Sequence, residues 1–186
     1  MKYLNLFFIL INLSGIAQSL EHPHIWTSPS EKETVLNKIT TDTDKKWSGK
    51  LYNDLHLAID DLVTLHQSHP ASYLAGLPEL NKKIDSRNDH RKALYDGVQA
   101  GMLYFLDGDK KYAQFAADIL SHYTSRISNE TGDLWFSKTG RWIECRDLYP
   151  KVGMCYDFIQ PFLADSTDSI FNNSTGIREA FNHDDA

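Results

Sequence analysis

The stretch ALYDGVQAGMLYFLDGDKKYAQFAADILSHY, residues 93–123, predicts a helical hairpin. Apolar residues recur at three- and four-residue steps on both sides of Asp107-Gly108-Asp109, which is typical of two amphipathic helices joined by a tight turn. Glycine can adopt the left-handed conformation that ends a helix, and Asp109 can cap the next one. The inward-facing residues are Ala93, Leu94, Val98, Gly101, Met102 and Phe105, then Tyr112, Phe115, Ala116, Ile119, Leu120 and Tyr123.

Helical periodicity extends outward from this hairpin in both directions. Ser28-Pro29-Ser30-Glu31 has the residues of a helix start, a Ser cap followed by Pro and a Glu three residues on. A second helix is predicted at about 44–66 and a fifth at about 148–162, starting near Pro150, while the hairpin supplies the third (about 89–106) and the fourth, and a sixth begins near Thr175. The apolar stripe of the second comprises Trp47, Leu51, Leu55, Ala58, Ile59, Leu62 and Leu65. No strand pattern of useful length is present, so we expect an all-α fold of successive antiparallel hairpins.

The N-terminus is typical of a signal peptide. Lys2 precedes an apolar run from Leu4 to Leu13, and the small residues Ser14, Gly15, Ala17 and Ser19 follow. This apolar run is half as long as a membrane-spanning helix, which needs about 20 residues. We therefore expect residues 1–19 to be removed, residues 20–186 to belong to one domain, and the protein to be secreted or periplasmic without membrane contact after cleavage.

Composition excludes some functions and leaves the cysteines open. The formal net charge is −6, and residues 157–186 hold six acids and one base, so nothing resembles a nucleic-acid-binding surface. A hydrophobic content of 41% suits a globular domain. Cys145 and Cys155 could form a disulfide in an exported protein, or both could be buried free thiols.

Three segments together resemble heparinase II/III-like and alginate-lyase-like polysaccharide lyases. They are HPHIWTSP at residues 22–29, AGMLYFLDGDKKYA at 100–113 and YDFIQPFL at 156–163. The resemblance implies helices arranged in an incomplete (α/α) toroid, followed by antiparallel β-sandwich domains. The chain ends without a capping glycine or an apolar docking residue, so we expect it to be the truncated N-terminal part of a longer protein.

The resemblance also implies an activity, the β-elimination of uronic-acid polysaccharides such as alginate, ulvan, heparan-type or chondroitin-type chains. In that family an Asn holds the uronate carboxylate, and Tyr or His transfers the protons, without a cofactor. Asn182, His183 and Tyr149 are the candidate catalytic residues here, although helix capping explains Asn182 without chemistry. The family's catalytic residues come later in the toroid, so we expect this chain alone to be inactive.

Contact with an anionic polysaccharide is the function that the remaining residues suit best. Lys138, Arg141, Trp142, Arg146 and Tyr149 lie within twelve positions on a loop leading into the fifth helix. An aromatic ring can stack on a sugar face, and a guanidinium pairs with a carboxylate or sulfate. The alternative is that Trp142 belongs to the core and that the charges are simply solvated.

Other site types have less support in the sequence. His22 with His24, and His66 with His69, have metal-like spacing, but neither pair has a third ligand nearby, so no metal is expected. An (α/α)-barrel glycoside hydrolase remains an alternative and would need two carboxylates flanking the sugar bond. A helical-repeat interaction module without catalysis would need a period of about 34 residues, which is not found.

Overall fold

The structure, a computed structural model, describes residues 22–41, 47–78, 87–127, 142–167 and 169–181, and at 87, 126, 127 and 142–147 only the backbone. A 3₁₀ turn at Pro29–Glu31 leads into the helices. These are α1 (Lys32–Thr41), α2 (Trp47–Ser68), α3 (Pro70–Ala75), α4 (Arg87–Asp107), α5 (Lys110–Ile127) and α6 (Trp142–Asp165). Strands β1 (Ile170–Asn172) and β2 (Ile177–Glu179) follow. The mostly helical fold is therefore confirmed. None of the helices described has the length and apolarity needed to cross a membrane.

The predicted hairpin is α4 and α5, and its turn has the expected geometry. Gly108 has φ +75°, and its N–H donates to the carbonyl of Tyr104 at 2.8 Å. Asp109 Oδ1 accepts the N–H of Lys111 at 3.0 Å, and this bond holds the pKa of the Asp109 carboxyl below its ordinary value. All six of the residues predicted to face inward from α5 are buried.

The core is formed where α4, α5 and α6 pack together. Contacts between residues 97 and 155 and between 101 and 158 show that α6 runs parallel to α4, while α5 runs antiparallel to both. Glycines on α4 allow the close approach, because a Cβ at Gly97 would lie 3.3 Å from Cys155 Sγ. A Cβ at Gly101 would lie only 2.8 Å from the Cβ of Phe158. Residues with side chains at these two positions would push the helices apart.

The predicted buried stripe of α2 is wrong in part. Trp47, Leu51 and Leu65 are exposed by 76%, 56% and 55%. The buried residues of α2 are Leu55, Ile59, Val63 and His66. Trp47 and Leu51 precede the part of α2 that packs on the core, and Leu65 is turned about 100° from His66 around the helix axis. Periodicity alone did not distinguish the apolar positions that face α5 from those that face outward.

Helix α6 begins earlier than predicted, and this settles the cysteine pairing. It starts at Trp142, and Pro150 and Pro161 both lie inside it. Cys145 and Cys155 therefore occupy one helix, about 15 Å apart along its axis, whereas the Cα atoms of a disulfide lie within about 7 Å. Cys155 is a buried free thiol beside the carbonyl of Ala116, and burial raises its pKa to about 12.

The sixth helix predicted near Thr175 is wrong, because this segment forms a β-hairpin. Strands β1 and β2 are antiparallel, with Asn172 opposite Ile177. Asn172 Oδ1 accepts the N–H groups of Ser174 at 2.8 Å and Thr175 at 3.3 Å, and Gly176 has φ +72°. These features stabilise a tight turn. Each strand has only three residues, which is too short for an alternating pattern to be recognised.

The glycine contact between α4 and α6 can be tested with two substitutions. Gly101→Ala should lower the free energy of unfolding by about 1–3 kcal/mol, because the added methyl group collides with Phe158. Gly153→Ala on α6 is the matched control, since a Cβ there meets nothing within 4 Å. It should raise stability by about 0.5–1 kcal/mol through helix propensity. Denaturant unfolding measures both, and a Gly101→Ala variant as stable as the control would contradict the packing.

Candidate functional site

The carboxylate of Asp157 on α6 holds the N-terminal segment against the helices. Its side chain is only 3% exposed. Asp157 Oδ2 accepts the main-chain N–H groups of His24 and Ile25, each at 2.9 Å. Asp157 Oδ1 lies 2.7 Å from His22 Nδ1. A buried carboxylate requires such partners, because an unpaired charge is costly to remove from water.

The three segments that carry the family resemblance meet in the structure. Residues 22–29 bind Asp157 within residues 156–163, and Gly101 within residues 100–113 packs on Phe158. A shallow cavity of about 250 Å³ lies where they join. It is lined by His22, Pro23, Pro29, Lys32, Tyr104, Phe105, Gly108, Phe158 and Pro161, and all but Lys32 belong to the three segments. The segments are therefore parts of one tertiary feature.

The expectation that neither histidine pair has a third ligand is wrong for His22 and His24. Asp157 joins them, and one possible ligand atom from each of the three residues lies within 4.8 Å of the others. Spacing could not reveal this, because Asp157 is more than 130 residues away along the chain. His66 is different, since it is buried with its Nε2 atom 2.7 Å from Asp118 Oδ2, while His69 is exposed at the start of α3.

Asp118 on α5 attaches the β-hairpin to the helices. Its buried carboxylate accepts the main-chain N–H of Phe171 at 2.6 Å. Both terminal nitrogens of Arg178 also donate to it, at 3.1 and 3.3 Å, and His66 contacts it from α2. Arg178 and His66 thus approach one carboxylate from two different elements, which makes Asp118 the polar centre of this region.

A cavity of about 370 Å³ lies beside Asp118, between α5 and the β-hairpin. Six of its fourteen lining residues have hydroxyl or amide side chains, namely Ser121, Thr124, Ser125, Asn172, Asn173 and Ser174, and Asp118, His122 and Glu179 add further polar groups. The hydroxyl of Thr124 is buried and has no hydrogen-bond partner within the described residues. Such a lining offers both donors and acceptors, so it suits a hydroxyl-rich ligand.

A cluster of tyrosines and carboxylates joins α2 to the α4–α5 turn. Tyr52 donates to Asp107 at 2.6 Å and Tyr112 donates to Asp60 at 2.5 Å, with His56 between them. Burial, followed by the hydrogen bond to Asp107, raises the pKa of Tyr52 to about 12. Burial and Asp60 likewise raise the pKa of Tyr112. Both phenols stay protonated near neutral pH, so they act as hydrogen-bond donors and not as bases.

The predicted substrate-contact residues lie mainly on a helix and not on a loop. Trp142, Arg146 and Tyr149 are all within α6, four and then three positions apart along the chain. Tyr149 is 36% exposed. The other predicted site residues, Lys138, Arg141, Asn182 and His183, lie outside the described residues.

Comparison with known proteins shows that the chain is similar in sequence to a polysaccharide lyase. The chain is 34% identical over 175 residues, 90% of its length, to an endo-acting ulvan lyase of Formosa agariphila. It spans 21% of the length of that protein. No family model and no solved structure matches the chain. The predicted relationship to polysaccharide lyases is therefore confirmed by sequence similarity that includes nearly all of the chain.

The role of Asp118 can be tested by its removal. Asp118→Ala should lower the free energy of unfolding by about 3–5 kcal/mol, because truncating one partner of a buried ion pair leaves the others unsatisfied. Asp54→Ala is the matched control, since Asp54 forms an exposed pair with Lys50 that contributes about 0–1 kcal/mol. Denaturant unfolding gives both values, and similar losses in the two variants would argue against the buried network.

Proposed function

We propose that this chain is the N-terminal portion of an exported polysaccharide lyase that cleaves a uronic-acid-containing polysaccharide by β-elimination. The observation that carries the proposal is its similarity to an ulvan lyase over most of its length. The meeting of residues 22–29, 100–113 and 156–163 around one cavity adds support, because the resemblance extends to segments that pack together. In the same proposal, the described helices are part of an incomplete (α/α) toroid.

The reaction has three requirements that the whole protein must meet. The C5–H bond of the uronate and the bond from C4 to its glycosidic oxygen break, and a C4=C5 double bond forms. A base takes the C5 proton, the leaving oxygen receives a proton, and the uronate carboxylate must be neutralised so that C5 becomes acidic. Tyr52, Tyr73, Tyr104 and Tyr112 all have raised pKa values. None of these four suits the role of base, which leaves Tyr149 and His183 of this chain and residues elsewhere in the whole protein as candidates for proton transfer.

This chain then contributes to holding the polymer. The proposed surface is the part of α6 with Trp142, Arg146 and Tyr149, together with Lys138 and Arg141 just before it. A cationic and aromatic surface binds an anionic sugar chain by pairing with its carboxylates and stacking on its rings. The polar cavity beside Asp118 is a second surface suited to sugar hydroxyls.

Two other function classes have weaker support. A glycoside hydrolase would share a helical-barrel fold, but the relative is a lyase. A helical-repeat module would have regular pairs of helices, whereas the described helices range from 6 residues in α3 to 24 in α6. The lyase is therefore the function that the observations favour.

Substrate contact can be tested in the enzyme that contains this chain, assayed on ulvan. Arg146→Ala should raise the KM about thirtyfold or more, since truncating a desolvated arginine paired with a carboxylate costs about 2 kcal/mol or more. The rate is followed by the ultraviolet absorbance of the unsaturated uronate, which only β-elimination produces.

Lys110→Ala is the matched control. Lys110 is exposed at the first residue of α5, at the end of the helices opposite to residues 142–149. It should change the KM by no more than a few fold, as expected for an exposed charge that contributes about 0–1 kcal/mol. Equal, small effects in both variants would remove α6 from the substrate surface. New reducing ends without the absorbance would indicate hydrolysis and refute the lyase.

Export is proposed from the N-terminal sequence. Mass spectrometry of the exported protein should find the mature N-terminus between Gln18 and Glu21, because small residues precede these positions after a short apolar run. The control is the same gene expressed without passage through an export pathway, which should retain Met1. An intact Met1 on exported protein would contradict the signal peptide.

A further inference from the structure

We propose that His22, His24 and Asp157 form a binding site for a divalent transition metal ion, with Zn²⁺ as its best match. The ligands would be the Nδ1 atoms of the two histidines and Oδ1 of the aspartate. The site lies where the N-terminal segment meets α6, so a bound ion would join the two through coordinate bonds. This function is independent of the substrate surface on α6.

The distances from Asp157 Oδ1 to the two imidazole nitrogens are close to those of a tetrahedral site, and all three ligand atoms lie within 4.8 Å of one another. His22 Nδ1 lies 2.7 Å and His24 Nδ1 lies 3.3 Å from Asp157 Oδ1. With metal–ligand bonds of about 2.0–2.1 Å, neighbouring ligand atoms in a tetrahedron are separated by about 3.3 Å. The His24 distance already has this value. The His22 imidazole would need to move by only about half an ångström to match it.

The carboxylate is oriented for this role by the main chain. The N–H groups of His24 and Ile25 each lie 2.9 Å from Oδ2, and the His24 N–H also lies 3.1 Å from Oδ1, the oxygen that the two imidazoles approach. The His22 ring is also in edge contact with Tyr156 and lies 4.5 Å from the His24 ring, centroid to centroid. Groups that orient the ligands of a metal are a regular part of such sites.

Hydrogen bonding to Asp157 alone explains less of the arrangement of these three side chains. The two main-chain bonds and one Nδ1–H from His22 already satisfy a buried carboxylate. They do not require a second imidazole nitrogen to approach the same oxygen, as His24 Nδ1 does at 3.3 Å. Convergence of two imidazole nitrogens and a carboxylate oxygen on one point is the arrangement that a metal ion accounts for.

The donor atoms also select the kind of ion. Two imidazoles and one carboxylate suit Zn²⁺ and related transition metals, whereas Ca²⁺ and Mg²⁺ prefer six or more oxygen ligands. Three protein ligands leave a fourth position open. The His24 side chain is 39% exposed, so water can reach that position.

The test is a calorimetric titration of ZnCl₂ into purified protein that carries no polyhistidine tag and has been stripped of metal with a chelator. One Zn²⁺ per chain should bind at this site, and MgCl₂ should not replace it. His24→Gln should weaken Zn²⁺ binding at least tenfold, while its main-chain bonds to Asp157 keep the segment in place. His69→Gln, which changes an exposed histidine on α3, should bind as the unaltered protein does.

Zn²⁺ should also raise the Tm of the unaltered protein and of His69→Gln, but not of His24→Gln, because a ligand that binds only the folded state stabilises it. X-ray absorption at the zinc edge of the unaltered protein should show two imidazole ligands, a measurement that does not depend on how the variants fold. Lack of saturable binding, equal affinities of His24→Gln and His69→Gln, or a spectrum without imidazole scattering would each overturn the proposal.

Discussion

The close contact between α4 and α6 is the constraint on which the rest of the described structure depends. At Gly97 and Gly101 the surface of α4 carries no side chains, so Cys155 and Phe158 can approach its backbone. Because Cys155 and Phe158 must face α4, this contact also fixes the rotation of α6 about its own axis. It thereby determines that Asp157, next to Phe158, faces the N-terminal segment and not solvent. A larger residue at Gly101 would change both the packing and the position of that carboxylate.

Two buried carboxylates attach the non-helical segments to this helical core. Asp157 takes main-chain N–H groups from residues 24 and 25, and Asp118 takes one from residue 171. The N-terminal segment has main-chain donors that no helix or sheet satisfies, and β1 is paired with only one strand, so a fixed carboxylate on a rigid helix can accept such donors. Each carboxylate also has imidazole partners, so both attachment points include titratable groups.

The relationship to an ulvan lyase changes how these attachment points are understood. The segments that resemble polysaccharide lyases are joined by Asp157 and by the glycine contact. The residues of these segments therefore have a structural role, because they hold one another in place. The proposed substrate surface lies at the other end of α6, at Trp142, Arg146 and Tyr149. Helix α6 would then connect the structural site at Asp157 with the substrate-binding surface. The two are separated along the helix axis by about 1.5 Å for each residue between them.

Local order is what the sequence by itself determined. The α4–α5 hairpin, its Gly108 turn and the cap at Asp109 were predicted correctly, because helix periodicity and capping depend on residues within four positions of one another. The tertiary structure alone decided which apolar residues of α2 are buried, that residues 170–179 form a β-hairpin, and that Asp157 meets His22 and His24. Those outcomes depend on contacts between residues far apart in the chain. The strands are too short to have a pattern of their own, and no spacing in the sequence records a partner more than 130 residues away.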